Sequence, residues 1–215
     1  MSDYATLYPL VADVLLSDTA AKIDFWAFGM HVSGAGYRAV WYAITKGWIK
    51  LLLAKKGIPS TYLPPGVAAL YENEIHTLHF SLFEETEDAK LKMYILHECT
   101  HALRDIMASS AFATEGAYGS NISGQSYYDN EAVGYIAGML FYFYLTNQDD
   151  MPMTEGSPDG DIYAAAIPIA RAIKGKPGAH VDQKAFLDLR SVIIMDPAYA
   201  KEHPPNQPDQ ARGID

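Results

Sequence analysis

Apolar positions recur at helical spacing over several stretches of this 215-residue chain. The pattern predicts helices over 4–16 and 37–55, the second rich in Trp41, Trp48 and the run Leu51-Leu52-Leu53. Between them, Asp18 to Gly36 reads as a weaker helical stretch followed by turn residues. Pro64-Pro65-Gly66 punctuates the approach to Glu74–Phe83, where Ile75, Thr77 and a β-rich composition predict a strand. Another helix spans the region around Leu91 to Ile106, with Thr86, Glu87 and Asp88 supplying cap and first-turn acid signals. Ser109 to Asn130, rich in Gly, Ser, Ala and Tyr, reads as a mobile loop bordering a cleft, a candidate lid. Asp129 or Asn130 then caps a helix running to about Thr146. After the turn Gly156-Ser157-Pro158-Asp159-Gly160, helices are expected near 161–174 and 182–194, before a polar, Pro-rich tail from Asp196.

These elements predict a mostly helical α+β fold, with a small β-sheet beside the helix at residues 91–106. No repeat, heptad run or domain-scale linker interrupts the chain, so residues 1–215 read as one domain. Its length and its 49% apolar content suffice for one core.

The most informative stretch is His97-Glu98-Cys99-Thr100-His101. Two histidines four apart on a helix lie about 40° from each other around its axis, so both imidazoles can reach one ion. Zinc takes imidazole nitrogen at about 2.0–2.1 Å and favours a tetrahedral shell. Glu98 stands beside the ligands, where it can take a proton from a water activated by the ion. Helical phase supports the pairing. Leu91, Ile95, Leu96, Cys99, Ala102, Leu103 and Ile106 share one side, and His97, Glu98, His101 and Asp105 share the other. The competing reading is a pair of surface or packed histidines.

Catalytic zinc normally has three protein ligands. No histidine follows His101 at short spacing; the next is His180. The better candidate is Glu131, in Asp129-Asn130-Glu131, with Gly134 and Gly138 on the same side of its helix. Positions without side chains would let that helix approach the histidines closely enough for a carboxylate to reach the ion. The alternative is that Glu131 only decorates the helix start and the glycines are ordinary packing dimples.

His97-Glu98-x-x-His101, followed by a glutamate on a second helix opening with Asn-Glu, resembles the zincin metallopeptidases of the gluzincin type. The resemblance covers roughly residues 75–146. It implies one zinc ion held by His97, His101 and Glu131, with Glu98 as general base, and hydrolysis of peptide bonds. It also implies that the predicted strand lies along the cleft and pairs its free edge with extended substrate. Where thermolysin-like members carry an aspartate four residues after the ligand glutamate, this chain has Tyr135.

Ligating histidines usually donate their second ring N–H to a carboxylate or carbonyl. Asp105, one turn beyond His101, is the candidate for that role; the alternative is a solvated acid paired with Arg104 or another base. Tyr135, one turn from Glu131, is a candidate oxyanion donor, and Tyr127, Tyr128 and His180 could also reach inward. His76 and His79 have odd spacing and so fall on opposite faces of a strand, which suits polar strand positions rather than a second metal site. Cys99, on the apolar side of its helix, reads as a small core residue.

A net charge of −10 argues against nucleic acid as a partner, because phosphate binding needs clustered Lys and Arg, and Lys55-Lys56 and Lys90 with Lys92 are too sparse. The apolar run Ala132 to Leu145 is shorter than the roughly 20 residues that span a bilayer. Met1-Ser2-Asp3-Tyr4 lacks the basic start of a secretory signal, and a single cysteine permits no internal disulfide. A cytoplasmic setting is therefore the default expectation, with non-classical export still open. The expected function is a zinc metallopeptidase acting on a peptide or protein substrate. Its rivals are a non-catalytic protein-binding module retaining a metal site and a metal-dependent hydrolase of a non-peptide bond.

Overall fold

The computed structural model describes residues 3–53, 68–81, 88–108, 126–152 and 160–200. Within them the chain is a mostly helical α+β fold with two small mixed sheets. It opens with α1 (Asp3–Leu15) and the single turn α2 (Asp18–Ala21), then the hairpin β1 (Asp24–Ala27) and β2 (Met30–Ser33), then α3 (Gly34–Thr45). Three strands follow: β3 (Lys50–Leu53), β4 (Ala69–Glu72) and β5 (Thr77–Phe80). The remainder is helical apart from one short strand: α4 (Asp88–Ala108), α5 (Tyr127–Thr146), α6 (Gly160–Ile173), β6 (Ala179–His180), α7 (Gln183–Met195) and α8 (Pro197–Ala200).

The first half departs from the sequence expectation in three places. The 37–55 helix ends at Thr45, and Leu51-Leu52-Leu53 lies in β3, parallel to β5. Gly47 explains the break: at φ +74° it holds the left-handed conformation that terminates helices. Asp18 to Gly36 contains the β1–β2 hairpin rather than a continuing helix, turning at Phe28 and Gly29, both with positive φ. The predicted strand at 74–83 is shorter, because Glu74, Ile75 and His76 form the turn that joins β4 to β5. All four β5 residues are buried, which removes the alternation an exposed face would impose.

One sheet has the order β2-β1-β6, the other β3-β5-β4; each combines an antiparallel hairpin with one parallel neighbour. Among the described residues the edge strand near α4 is therefore β4, and β5, where the cleft strand was expected, is central. The core is one continuous cluster fed by every long helix. Helices α4 and α5 pack on each other more extensively than any other pair, with α3 and β4 also against α4 and with α6 and α7 against α5. Residues Tyr128 to Phe143 of α5 are buried throughout, so this helix runs through the middle of the molecule. Among the described residues, no helix is long and apolar enough to cross a membrane. Pro64-Pro65-Gly66, Lys55-Lys56, Thr86-Glu87, most of the proposed lid and the 156–159 turn lie outside the described residues.

Candidate metal centre

Helix α4 has the phase its sequence implies, with Ile95, Leu96, Cys99, Ala102, Leu103 and Ile106 in the core. Its opposite face is not open to solvent. It lies beneath α5 and beside β4, so His97 and His101 are only 7% and 8% exposed. Helix α5 starts one residue after Ser126, which caps it: the Ser126 side chain accepts from Asp129 N–H, and Asp129 accepts in return from Ser126 N–H at 2.7 Å. The cap thus falls earlier than Asp129 or Asn130, because a serine with an acid three residues on satisfies two helix-start amides reciprocally. Arg190 of α7 pairs with Asp129 at 2.9 Å and ties this helix start to its neighbour. Glu131 follows in the next residues and is itself only 6% exposed.

Three side chains converge. The Nε2 atoms of His97 and His101 lie 3.1 Å apart. Glu131 sets Oε2 at 3.4 Å from His97 Nε2 and Oε1 at 3.5 Å from His101 Nε2. Donors at about 2.0–2.2 Å from a tetrahedral zinc stand roughly 3.4 Å from one another. The separations lie near that value, the two Glu131 distances ending on different carboxylate oxygens, and two imidazoles with a carboxylate are donor chemistry that could hold a metal ion.

Gly134 makes the convergence possible. A methyl group there would lie 3.0 Å from Cε1 and Nε2 of His97. At Gly138 it would meet Met93 Cγ at 3.2 Å. The missing side chains let α5 close on α4 at the level of the histidine ring.

Glu98 also stands near. Its Oε1 is 3.9 Å from His97 Nε2, and donor atoms of His97, Glu98 and His101 all lie within 4.8 Å of one another. Glu131 is the closer acid to both rings, and the other Glu98 oxygen accepts the Tyr71 backbone N–H at 2.7 Å. That assigns the two acids different places. Glu131 faces both imidazoles, and Glu98 sits to the side, held by the edge strand.

Their environments differ in the same sense. Burial pushes Glu98 up to about 7, with the Glu131 charge adding to it and His101 and the Tyr71 N–H opposing. Burial would raise Glu131 too, but His101, His97 and the Tyr127 hydroxyl outweigh it and hold the carboxyl down at about 2. The histidines thus favour the charged form of Glu131, while burial disfavours that of Glu98.

Asp105 does not take the role expected of it. Its Oδ2 accepts from the Tyr71 hydroxyl at 2.9 Å and lies 3.5 Å from His76 Nδ1. His101 Nδ1 has no hydrogen-bond partner among the described residues. The Tyr71 hydroxyl links Asp105 to the strand turn, lying also 3.2 Å from His76 Nδ1. Tyr135 packs its ring edge-on against His97, with centroids 4.7 Å apart. Its hydroxyl contacts Tyr199 at 2.6 Å, so it is turned toward α8. His180 is exposed and stacked on Trp26. His79 bonds Glu72 at 3.0 Å, as a polar strand residue does.

Two residues at the site escaped the sequence reading. Tyr71 precedes the predicted strand; Asn73-Glu74, a turn pair after Ala69-Leu70-Tyr71-Glu72, was the signal that a hairpin begins earlier. Tyr199 lies in what reads as a polar tail, yet α8 brings its hydroxyl to 3.4 Å from Glu131 Oε2. No family model matches this chain, and no curated protein or solved structure matches it either.

Proposed function

We propose that this chain is a zinc-dependent hydrolase of peptide bonds, a divergent gluzincin-like zincin. The observation that carries the reading is the approach of His97, His101 and Glu131 to mutual distances of 3.1–3.5 Å, with Glu98 beside them. His97, His101 and Glu131 would hold the ion. Bound there, zinc would polarise a scissile carbonyl and make a water a better acid. Glu98 would take a proton from the attacking water and pass it to the leaving amine, a role suited to a carboxylate standing beside the histidines. The Tyr71 N–H fixes one Glu98 oxygen and leaves the other turned toward the histidines.

The peptide assignment is supported by β4. Among the described residues it pairs only with β5; its outward Tyr71 N–H is already donated to Glu98, so a peptide would pair with the rest of that edge. An extended peptide could add to that edge and pass across the centre.

The test is zinc content together with cleavage of a peptide library by wild type and Glu98→Gln. Both should bind one zinc per chain, and the variant should lose roughly 10²–10⁴-fold in turnover. A wild type that takes up no zinc, or a variant that still cleaves at the wild-type rate, overturns the proposal.

A further inference from the structure

Tyr199 lies outside the α4–α5 pair and touches the proposed ligand set through its hydroxyl. It is half-buried on α8, whose backbone is joined to the end of α7 by Tyr199 N–H donating to Asp196 C=O at 3.1 Å. The Tyr199 hydroxyl donates to Glu131 Oε2 at 3.4 Å, the oxygen that faces His97. It also lies 2.6 Å from the Tyr135 hydroxyl.

The direction of this chain follows from donor counting. An ionised carboxylate only accepts, so the single Tyr199 proton is directed at Glu131. Tyr135 must then donate into the Tyr199 oxygen. The result is a relay, Tyr135 to Tyr199 to Glu131, in which each bond polarises the next. Ring packing holds it in place. Tyr135 stands edge-on to Tyr163 at 5.1 Å and to His97 at 4.7 Å, and Tyr199 lies 6.2 Å from Tyr127, the other phenol on Glu131.

We infer that Tyr199 is a positioning residue for the metal centre: with Tyr135 it fixes the Glu131 oxygen that faces His97, so that α8 sets the site's affinity for zinc. The inference rests on the reading of Glu131 as a ligand. Partners of this kind orient ligands and tune their donor strength, and their loss typically costs 10–100-fold in metal affinity.

The test is zinc affinity of the full chain, measured by competition with a chromophoric chelator. Four proteins are compared: wild type, Tyr199→Phe, Glu131→Gln and the double variant. Tyr199→Phe should bind zinc roughly 10–100-fold more weakly than wild type. In the Glu131→Gln background the same change should have almost no effect, because the group it acts through is gone. A residue that merely supports the fold would weaken both backgrounds alike, and that result overturns the inference. So does a Tyr199→Phe protein that binds zinc as wild type does. If Tyr199→Phe fails to fold by circular dichroism, Tyr135→Phe replaces it in the cycle; it should weaken zinc binding roughly threefold, about one neutral hydrogen bond, and only when Glu131 is present. Unchanged binding in that variant also overturns the inference. A wild type that binds no zinc fails the centre itself, which separates that failure from this one.

Discussion

The β2-β1-β6 and β3-β5-β4 sheets share a plan, a hairpin plus one parallel neighbour, yet they handle polar groups differently. In the first, the buried polar residue is Ser33, which serves as the N-cap of α3. Its other polar side chains stay near the surface, where His31 stacks on Trp26 at 4.6 Å and bonds Asp24 at 2.8 Å. The second sheet buries Thr77 and His79 and packs through β4 on α4, which buries His97, Thr100, His101, Arg104 and Asp105. A buried polar group left unpaired costs about 1–3 kcal/mol, so gathering these groups is costly wherever partners are incomplete, as at His101 Nδ1. One sheet closes an end of the core. The other flanks a polar interior, and its edge strand reaches into that interior through both the main chain and the side chain of Tyr71.

The contrast can be broken or sharpened by substitution. The largest effect is expected at His101→Ala, which removes an imidazole from the cluster. Zinc affinity should fall by more than the roughly 10–100-fold typical of a lost outer partner. Metal analysis after dialysis reads this, and undiminished zinc would count against the polar interior as a metal centre. Next is Gly134→Ala, whose methyl would stand 3.0 Å from the His97 ring. Zinc affinity should drop on the order of tenfold as the ring is displaced. Gly138→Ala should leave affinity unchanged, since its methyl mainly meets the flexible Met93 side chain. Equal effects at the two glycines would remove the special role of the close approach.

Tyr71→Phe should have a smaller and different effect. It takes a hydroxyl donor from buried Asp105, and urea denaturation should show a loss of about 1.5–3 kcal/mol with zinc stoichiometry intact. The smallest change is expected in the other sheet, at Phe28→Gly. Phe28 sits at φ +48° and stacks on Phe186 at 5.2 Å. Relief of backbone strain and loss of the stack oppose each other, so stability should move by less than about 1 kcal/mol. A change in zinc affinity there would show that the two halves are coupled.

What could be read from the chain follows the range of the physical signals. Helix α4 spans 21 residues, enough turns for its apolar stripe and its polar face to separate clearly. Glu131, Gly134 and Gly138 were legible as an acid and two dimples on one helical face, and the structure brings them against His97 and Met93. The four-residue strands were not legible, because two repeats of a period of two cannot be told from a helical fragment. Leu51-Leu52-Leu53 illustrates this: an apolar run fits either element, and only Gly47 upstream marked the break. Asp105 and Tyr199 show a second limit. Phase places Asp105 on the right face of α4, but a tyrosine from another element decides what it bonds. Tyr199 is one of fifteen tyrosines, in a stretch without periodicity, and its position is set by how α7 ends rather than by any local pattern.

Cys99 offers a practical consequence. It is the chain's single cysteine, fully buried on the reverse of the α4 face that carries the histidines, and burial pushes its thiol well above the ordinary range. Such a thiol is inert while the helix stays packed. Alkylation by a small maleimide therefore acts as an intrinsic clock for the lifting of α4, requiring no engineered label. Any cation that binds the folded form and not the opened one must slow that clock, so ligand occupancy can be timed from the back of the helix.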